Sequence, residues 1–204
     1  ASRRWSLDVT VDHRIGERDR GPAGKRLLAV QRLVERHAEA ELVGARVHGL
    51  GEMLLGRSDG QPYIGKVWPG ATVFPDFTQA RTRETWGLMH RPLVDAGVAG
   101  FWNDMNDPVF RAGEVYDPLA EDVLHHGVPH ARVRNLYANG MAEATICGLR
   151  ALRPGKRPFV LSRSGFPGIQ RHAALWTGDN HSSWQHLREN FDMVLNLGLS
   201  GVPI

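Results

Sequence analysis

Short apolar runs that end in glycine or an acidic residue alternate with helical patterns from Gly60 onward. That alternation restricts the fold more than any other feature of the chain. Residues 82–96 have helical spacing, disturbed at Pro92 and stopped by Gly97. Val98-Ala99-Gly100-Phe101-Trp102 then reads as a short buried strand. A second helix fits 132–150, followed by a turn at Arg153-Pro154-Gly155-Lys156 and a strand over 158–162. Ala173-Ala174-Leu175-Trp176 reads as another strand. Ser182 with Gln185 matches a capping box, opening a helix with Trp184, Leu187, Phe191, Val194 and Leu195 on one face. Gly198 closes that helix, and residues 199–204 read as one more strand. Strands separated by helices imply an α/β fold, a parallel sheet or barrel with crossover helices. In such folds function gathers at the carboxyl ends of the strands.

The first 48 residues differ in texture. They are rich in Arg, Glu, Ala and His and hold one helical pattern, Leu27, Val30, Leu33, Val34 and Ala38, between Pro22 and Gly44. No apolar run approaches the ~20 residues of a membrane span, and Ala1-Ser2-Arg3-Arg4-Trp5 does not open a signal peptide. The single cysteine, Cys147, rules out an internal disulfide framework. These features lead to the expectation of a cytoplasmic protein. The net charge of +3 comes from arginines interspersed with carboxylates, not from one basic face, so neither nucleic acid nor membrane is expected as a partner.

Two of the strand ends carry carboxylates. One reads Gly100-Phe101-Trp102-Asn103-Asp104-Met105-Asn106-Asp107-Pro108, and the other Leu175-Trp176-Thr177-Gly178-Asp179-Asn180. A third strand delivers Arg163-Ser164. A pair of carboxylates is what glycosidic bond cleavage requires: one protonates the leaving oxygen, and the other attacks the anomeric carbon or activates water. Tryptophan faces supply apolar surface for sugar C–H groups. The same residue types also serve as caps, turns and core anchors, so the spacing alone leaves the chemistry open.

The longer strings are more specific. Gly-Phe-Trp-Asn-Asp-Met-Asn-Asp-Pro resembles the nucleophile signature of glycoside hydrolase family 31, the α-glucosidase family. So does Leu161-Ser162-Arg163-Ser164-Gly165-Phe166-Pro167-Gly168-Ile169-Gln170-Arg171, continuing to Trp176-Thr177-Gly178-Asp179-Asn180 and Ser182-Ser183-Trp184. Val67-Trp68-Pro69-Gly70 and Phe74-Pro75-Asp76-Phe77 match the same family upstream, and His130, Asn135, Tyr137 and Met141-Ala142 fit its helix after the nucleophile strand. The resemblance covers roughly residues 50–204, leaving 1–48 as a divergent N-terminal segment before a catalytic barrel segment over 49–204. It implies an incomplete (β/α)8 TIM-barrel segment. A complete barrel of this kind takes about 250 residues, so the 204-residue chain alone is expected to be nearly inactive and to self-associate through unclosed barrel edges.

The resemblance implies a retaining α-glucosidase that removes terminal non-reducing glucose through a covalent glycosyl-aspartate, with an oligosaccharide or α-glucoside as substrate. Asp104 resembles the nucleophile and Asp179 the general acid/base. Arg163 resembles the arginine that holds the glucose hydroxyls, and Trp68, Trp102, Met105 and Trp176 resemble the walls of the glucose subsite. Retention requires the two carboxyl groups to stand about 5–5.5 Å apart. Asp107 stands where the family usually has Glu, implying a local adjustment with the carboxylate kept. The early glucose-binding aspartate of the family has no clear counterpart, Asp8 and Asp12 being candidates by type only. The alternatives are a non-catalytic carbohydrate-binding or degenerate remnant, or an α-xylosidase of the same family. No cofactor or metal is expected: His125, His126 and His130 lack further ligands at metal spacing and read as a surface histidine cluster. Walker, dinucleotide and Gly-x-Ser-x-Gly motifs are absent.

Overall fold

The computed structural model describes residues 51–67, 70–108, 110–112, 115–117, 122–202 and 204. Trp68, Asp8, Asp12 and the helical pattern at 27–38 lie outside the described residues. A hairpin, β1 (Ile64–Val67) and β2 (Gly70–Val73), precedes helices α1 (Ala80–Met89) and α2 (Arg91–Asp95). Strand β3 (Gly100–Asn103) follows, and then a second hairpin, β4 (Phe110–Ala112) and β5 (Val115–Asp117). The two hairpins join as one antiparallel sheet in the order β2-β1-β4-β5. A small hairpin, β6 (Leu124–His125) and β7 (Val128–Pro129), leads to α3 (His130–Val133) and the long helix α4 (Tyr137–Leu152). Strand β8 (Phe159–Ser162), strand β9 (Ala174–Leu175) and helix α5 (Trp184–Leu199) complete the order.

Strands β3, β8 and β9 form a parallel sheet in that order. The barrel is not closed among the described residues. Helix α4 is the crossover from β3 to β8 and packs on both. The link from β8 to β9 contains only a 3₁₀ turn, Ile169–Arg171. Residues 163–173 are too few for a helix that also reaches back along the sheet.

Alternation along the strands sorts side chains into two faces. Phe101, Val160 and Leu175 are buried and meet Ala142, Ile146 and Leu149 of α4 together with Leu93 and Val94 of α2. Trp102, Leu161 and Ala174 occupy the opposite face in direct register. A second core joins Leu55, Phe74, Phe77, Val123, Tyr137 and Met141, with Phe77 meeting Trp86 and Tyr137 edge-on.

The helix expected over 132–150 is split, with an α turn at His130–Val133 and a 3₁₀ turn at Arg134–Leu136 before the long helix Tyr137–Leu152. Three other boundaries differ from the pattern reading, each for a local reason. The helix expected over 82–96 breaks at His90 instead of bending at Pro92. Proline lacks an N–H and its ring would strike the carbonyl four residues back, so a new helix starts with Pro92 in its first turn. The cap of α5 is Ser183, whose Oγ accepts from the His186 amide at 3.2 Å; Gln185 pairs with Glu189 instead. Helix α5 runs through Gly198 to Leu199 and stops before Gly201, at φ +72°, so residues 199–204 form no strand among the described residues. Trp184, Phe191, Leu195 and Leu199 of α5 are exposed, while Leu197 packs on the core.

Helices α1 and α4 cross at Gly87 and Gly148. A Cβ on Gly148 would lie 2.3 Å from the Gly87 Cα, so only glycine permits the approach. Trp86 Nε1 donates to Thr145 Oγ1 at 2.9 Å beside this contact. Alanine at Gly148 gains up to about 1 kcal/mol of helix propensity, but its methyl would strike backbone, and such overpacking costs about 1–3 kcal/mol. The expected outcome is a lower Tm for Gly148→Ala and a larger drop for Gly148→Val, followed by circular dichroism. A Tm unchanged in both would refute the crossing.

His90 is buried between Trp86 and Phe101, with Nδ1 2.8 Å from the Trp86 carbonyl oxygen. Burial pushes its pKa below the ordinary histidine value, outweighing backbone hydrogen bonds that act the other way. The unfolded chain therefore binds this proton first on acidification, and stability falls as pH drops below about 6.5. Urea titrations of the wild type and His90→Phe between pH 7.5 and 5 are expected to show a shallower pH slope in the variant; equal slopes would contradict it.

Candidate active site

The β3–β8 register sets the site. Trp102 lies opposite Leu161, and Leu161 opposite Ala174. Two residues further on, the same alternation points Asp104, Arg163 and Trp176 out of the same face at one level. The ladder continues to that level, since the Arg163 amide donates to the Asn103 carbonyl at 2.9 Å. Arg163 Nη1 accordingly stands 3.6 Å from Asp104 Oδ1. The Trp102 and Trp176 rings meet edge-on with centroids 5.0 Å apart. Trp102 Nε1 is buried with no acceptor among the described residues.

Past Asp104 the chain turns sharply. Met105 has φ +54°, a left-handed conformation that costs a side-chain-bearing residue about 1–2 kcal/mol. The turn folds Asn106 and Asp107 back over the end of β8. Asn106 Nδ2 donates to Ser162 Oγ at 2.8 Å, Ser162 Oγ donates to the Ser164 carbonyl at 2.7 Å, and the Ser164 amide donates to Asn106 Oδ1 at 3.1 Å. Asn106 and Ser162 are buried, so this closed ring satisfies groups that water cannot reach. Ser164 Oγ also donates to Asp107 Oδ1 at 2.8 Å, and Arg163 Nη2 donates to Asp107 Oδ2 at 3.1 Å. Arg163 Nη1 further contacts Met105 Sδ at 2.8 Å.

The structure thus brings Asp104, Met105, Arg163, Trp102 and Trp176 together. Asp104 itself makes no hydrogen bond among the described residues, and its side chain is 23% exposed. Asp179 lies in the loop after β9, just beyond Gly178 at φ +94°, with its side chain exposed and without a hydrogen bond or ion pair among the described residues. Asp104 and Asp179 leave the same end of the sheet, with β8 between their strands. The loop after Asp179 runs into an open groove of about 540 Å³ lined by His181, Ser182, Ser183, Trp184, Leu187 and Asn190, on the side of α5. The ring of Asn106, Ser162 and Ser164 was not singled out by sequence pattern. The only signal was two serines flanking an arginine at a strand end.

The histidines require a correction. His125 and His130 are buried, not on the surface; their rings stack with centroids 5.0 Å apart and His125 Nε2 lies 2.7 Å from His130 Nδ1. Only His126 is exposed, at the hairpin turn with φ +47°. His125 Nδ1 faces buried Asp76 Oδ1 at 3.4 Å, which also accepts from the Thr78 amide and hydroxyl. Burial works against ionisation of Asp76, but its contacts with His125 and Thr78 win and hold the carboxyl below the ordinary carboxylate range. Among the described residues no group of three or more His, Cys, Asp or Glu side chains is placed to hold a metal ion, and no helix is long and apolar enough to cross a membrane.

A family model described as the glycosyl hydrolases family 31 TIM-barrel domain matches residues 46–204. Alpha-glucosidase 2 of Bacillus thermoamyloliquefaciens is 49% identical over 149 residues, which cover 71% of this chain and 19% of that protein. The alpha-glucosidase of Saccharolobus solfataricus is 40% identical over 166 residues, covering 71% of this chain and 24% of its own. Among solved structures, the alpha3-Glc2-bound glucosidase II alpha subunit superposes with a TM-score of 0.70 at 32% identity, over 81% of this chain and 18% of that one. The chain therefore spans 18–24% of the lengths of these proteins.

Truncating Asn106 would leave the partly buried Ser164 amide without its acceptor, at about 1–3 kcal/mol, and would remove the donor to Ser162 Oγ, which keeps its bond to the Ser164 carbonyl. Asn106→Ala is expected to lower the urea midpoint with an unchanged m-value, whereas an unchanged midpoint would mean the ring does not hold the two strand ends together.

Proposed function

The chain belongs to glycosyl hydrolase family 31, and on that premise we propose that it forms the part of a retaining α-glucosidase that carries both catalytic carboxylates. Its three parallel strands are an arc of the family's TIM barrel. The single observation that carries the reading is the placement of Asp104 beside Arg163 at the carboxyl ends of adjacent parallel strands. Two tryptophans stand on the same face.

In this mechanism a terminal α-linked glucose packs against Trp102 and Trp176, with Met105 beside the ring and Arg163 toward its hydroxyls. An Asp104 oxygen attacks the anomeric carbon as Asp179 gives a proton to the departing oxygen, leaving a covalent glycosyl-aspartate. Asp179 then takes a proton from water, whose oxygen displaces Asp104 and returns glucose in the α configuration. The same intermediate can pass glucose to another sugar hydroxyl. Strands two apart in a sheet lie about 9.5 Å from each other; side chains leaning inward over β8 would narrow that toward the ~5–5.5 Å of a retaining pair. The competing reading, a sugar-binding segment without turnover, draws on the exposure of Asp179.

Proton NMR of 4-nitrophenyl α-glucoside hydrolysis by the protein that carries this segment separates these readings. The expected first product is α-glucose, appearing before mutarotation, with turnover reduced about 10³-fold or more in Asp104→Asn. First-formed β-glucose would contradict retention, and sugar binding without any turnover would favour the non-catalytic reading.

A further inference from the structure

Arg163 faces two carboxylates and treats them differently. Nη2 makes a 3.1 Å hydrogen bond to Asp107, whereas Nη1 stops 3.6 Å short of Asp104, beyond hydrogen-bond length. A guanidinium beside a free carboxylate ordinarily closes to about 2.7–2.9 Å and pairs through both nitrogens. Nη1 rests instead against Met105 Sδ at 2.8 Å, and Nη2 is tied to Asp107, which sets where the guanidinium lies. Asp107 is itself fixed, because Ser164 Oγ donates to its other oxygen at 2.8 Å and the Ser164 amide is locked to Asn106. Asp107, Asp104 and Arg163 have side chains 17%, 23% and 29% exposed, so water competes only partly for these contacts.

We infer that Asp107 is a positioning residue that anchors Arg163 away from Asp104, with Ser164 aiming the anchor, and so keeps the oxygens of Asp104 free to attack. The inference rests on the reading of Asp104 as nucleophile and extends it to residues that touch no substrate. Without the anchor, Arg163 has one anion left in reach and closes onto Asp104, occupying the oxygens that must attack. Asp107 thus acts through Arg163, and its removal matters only while Arg163 is present.

The test combines a double-mutant cycle with a crystal structure, in the protein that carries this segment. Asp107→Ala is expected to lower kcat/KM for 4-nitrophenyl α-glucoside by ~10- to 100-fold in the wild-type background but by less than about 3-fold in Arg163→Ala, while Asp107→Glu stays within about 3-fold of wild type. Equal losses in both backgrounds, or no loss in the first, would overturn the inference. The crystal structure of Asp107→Ala is expected to show Arg163 within hydrogen-bond distance of Asp104; an Arg163 that stays in place or swings away would overturn it. Should Asp107→Ala not fold, Asp107→Asn is read the same way. Wild-type inactivity would count against the α-glucosidase reading alone, because the crystal structure still decides whether Asp107 holds Arg163.

Discussion

The parallel pairing of Trp102 with Leu161 is the contact on which the rest of the site depends. Because side chains alternate along a strand, this one register decides which residues face the α4 core and which face the site. It buries Phe101 and Val160 together and leaves Trp102 on the other face. Carried two residues further, it sets Asp104 beside Arg163. A slip of one residue would turn the nucleophile candidate toward the core and expose Phe101. The apolar core under α4 therefore holds the placement of Asp104 and Arg163 as well as the fold.

At the strand ends the register gives way to polar contacts. The left-handed Met105 is tolerated because Asn106, Ser162 and Ser164 close a ring around the turn that follows it. Residues 56 and 58 positions apart in sequence are tied by these bonds, so two loops behave as one rigid edge. That rigidity suits a site whose chemistry demands a fixed carboxylate and a fixed cation.

Much of this was legible in the sequence. The strands at Phe101 and Val160 and the helix through Met141 and Leu149 announce themselves by apolar runs and periodicity. The strings around Asp104, Arg163 and Asp179 pointed to the family and to the residues now found at the sheet ends. Other features depend on distant partners and leave no local trace. The antiparallel sheet of residues 64–73 and 110–117 is built from strands of three or four residues whose pairing is long-range. The burial of His125 and His130 follows from Asp76, about fifty residues upstream, not from their own neighbours. The apolar stripe of α5 was readable as amphipathicity, but a stripe does not say what covers it, and Trp184 and Leu199 are exposed. The cap at Ser183 was missed by one residue because two serines adjoin and only backbone geometry chooses between them.

Identification of the residue that takes the sugar tests the central claim most directly. A fluorinated α-glucosyl fluoride, which forms the glycosyl-enzyme faster than water releases it, can be reacted with the protein that carries this segment and the adduct mapped by peptide mass spectrometry. The expected result is one glucosyl adduct on Asp104, within the peptide Gly100-Phe101-Trp102-Asn103-Asp104-Met105. An adduct on Asp107 or Asp179, or full turnover with no covalent adduct on Asp104, would contradict it.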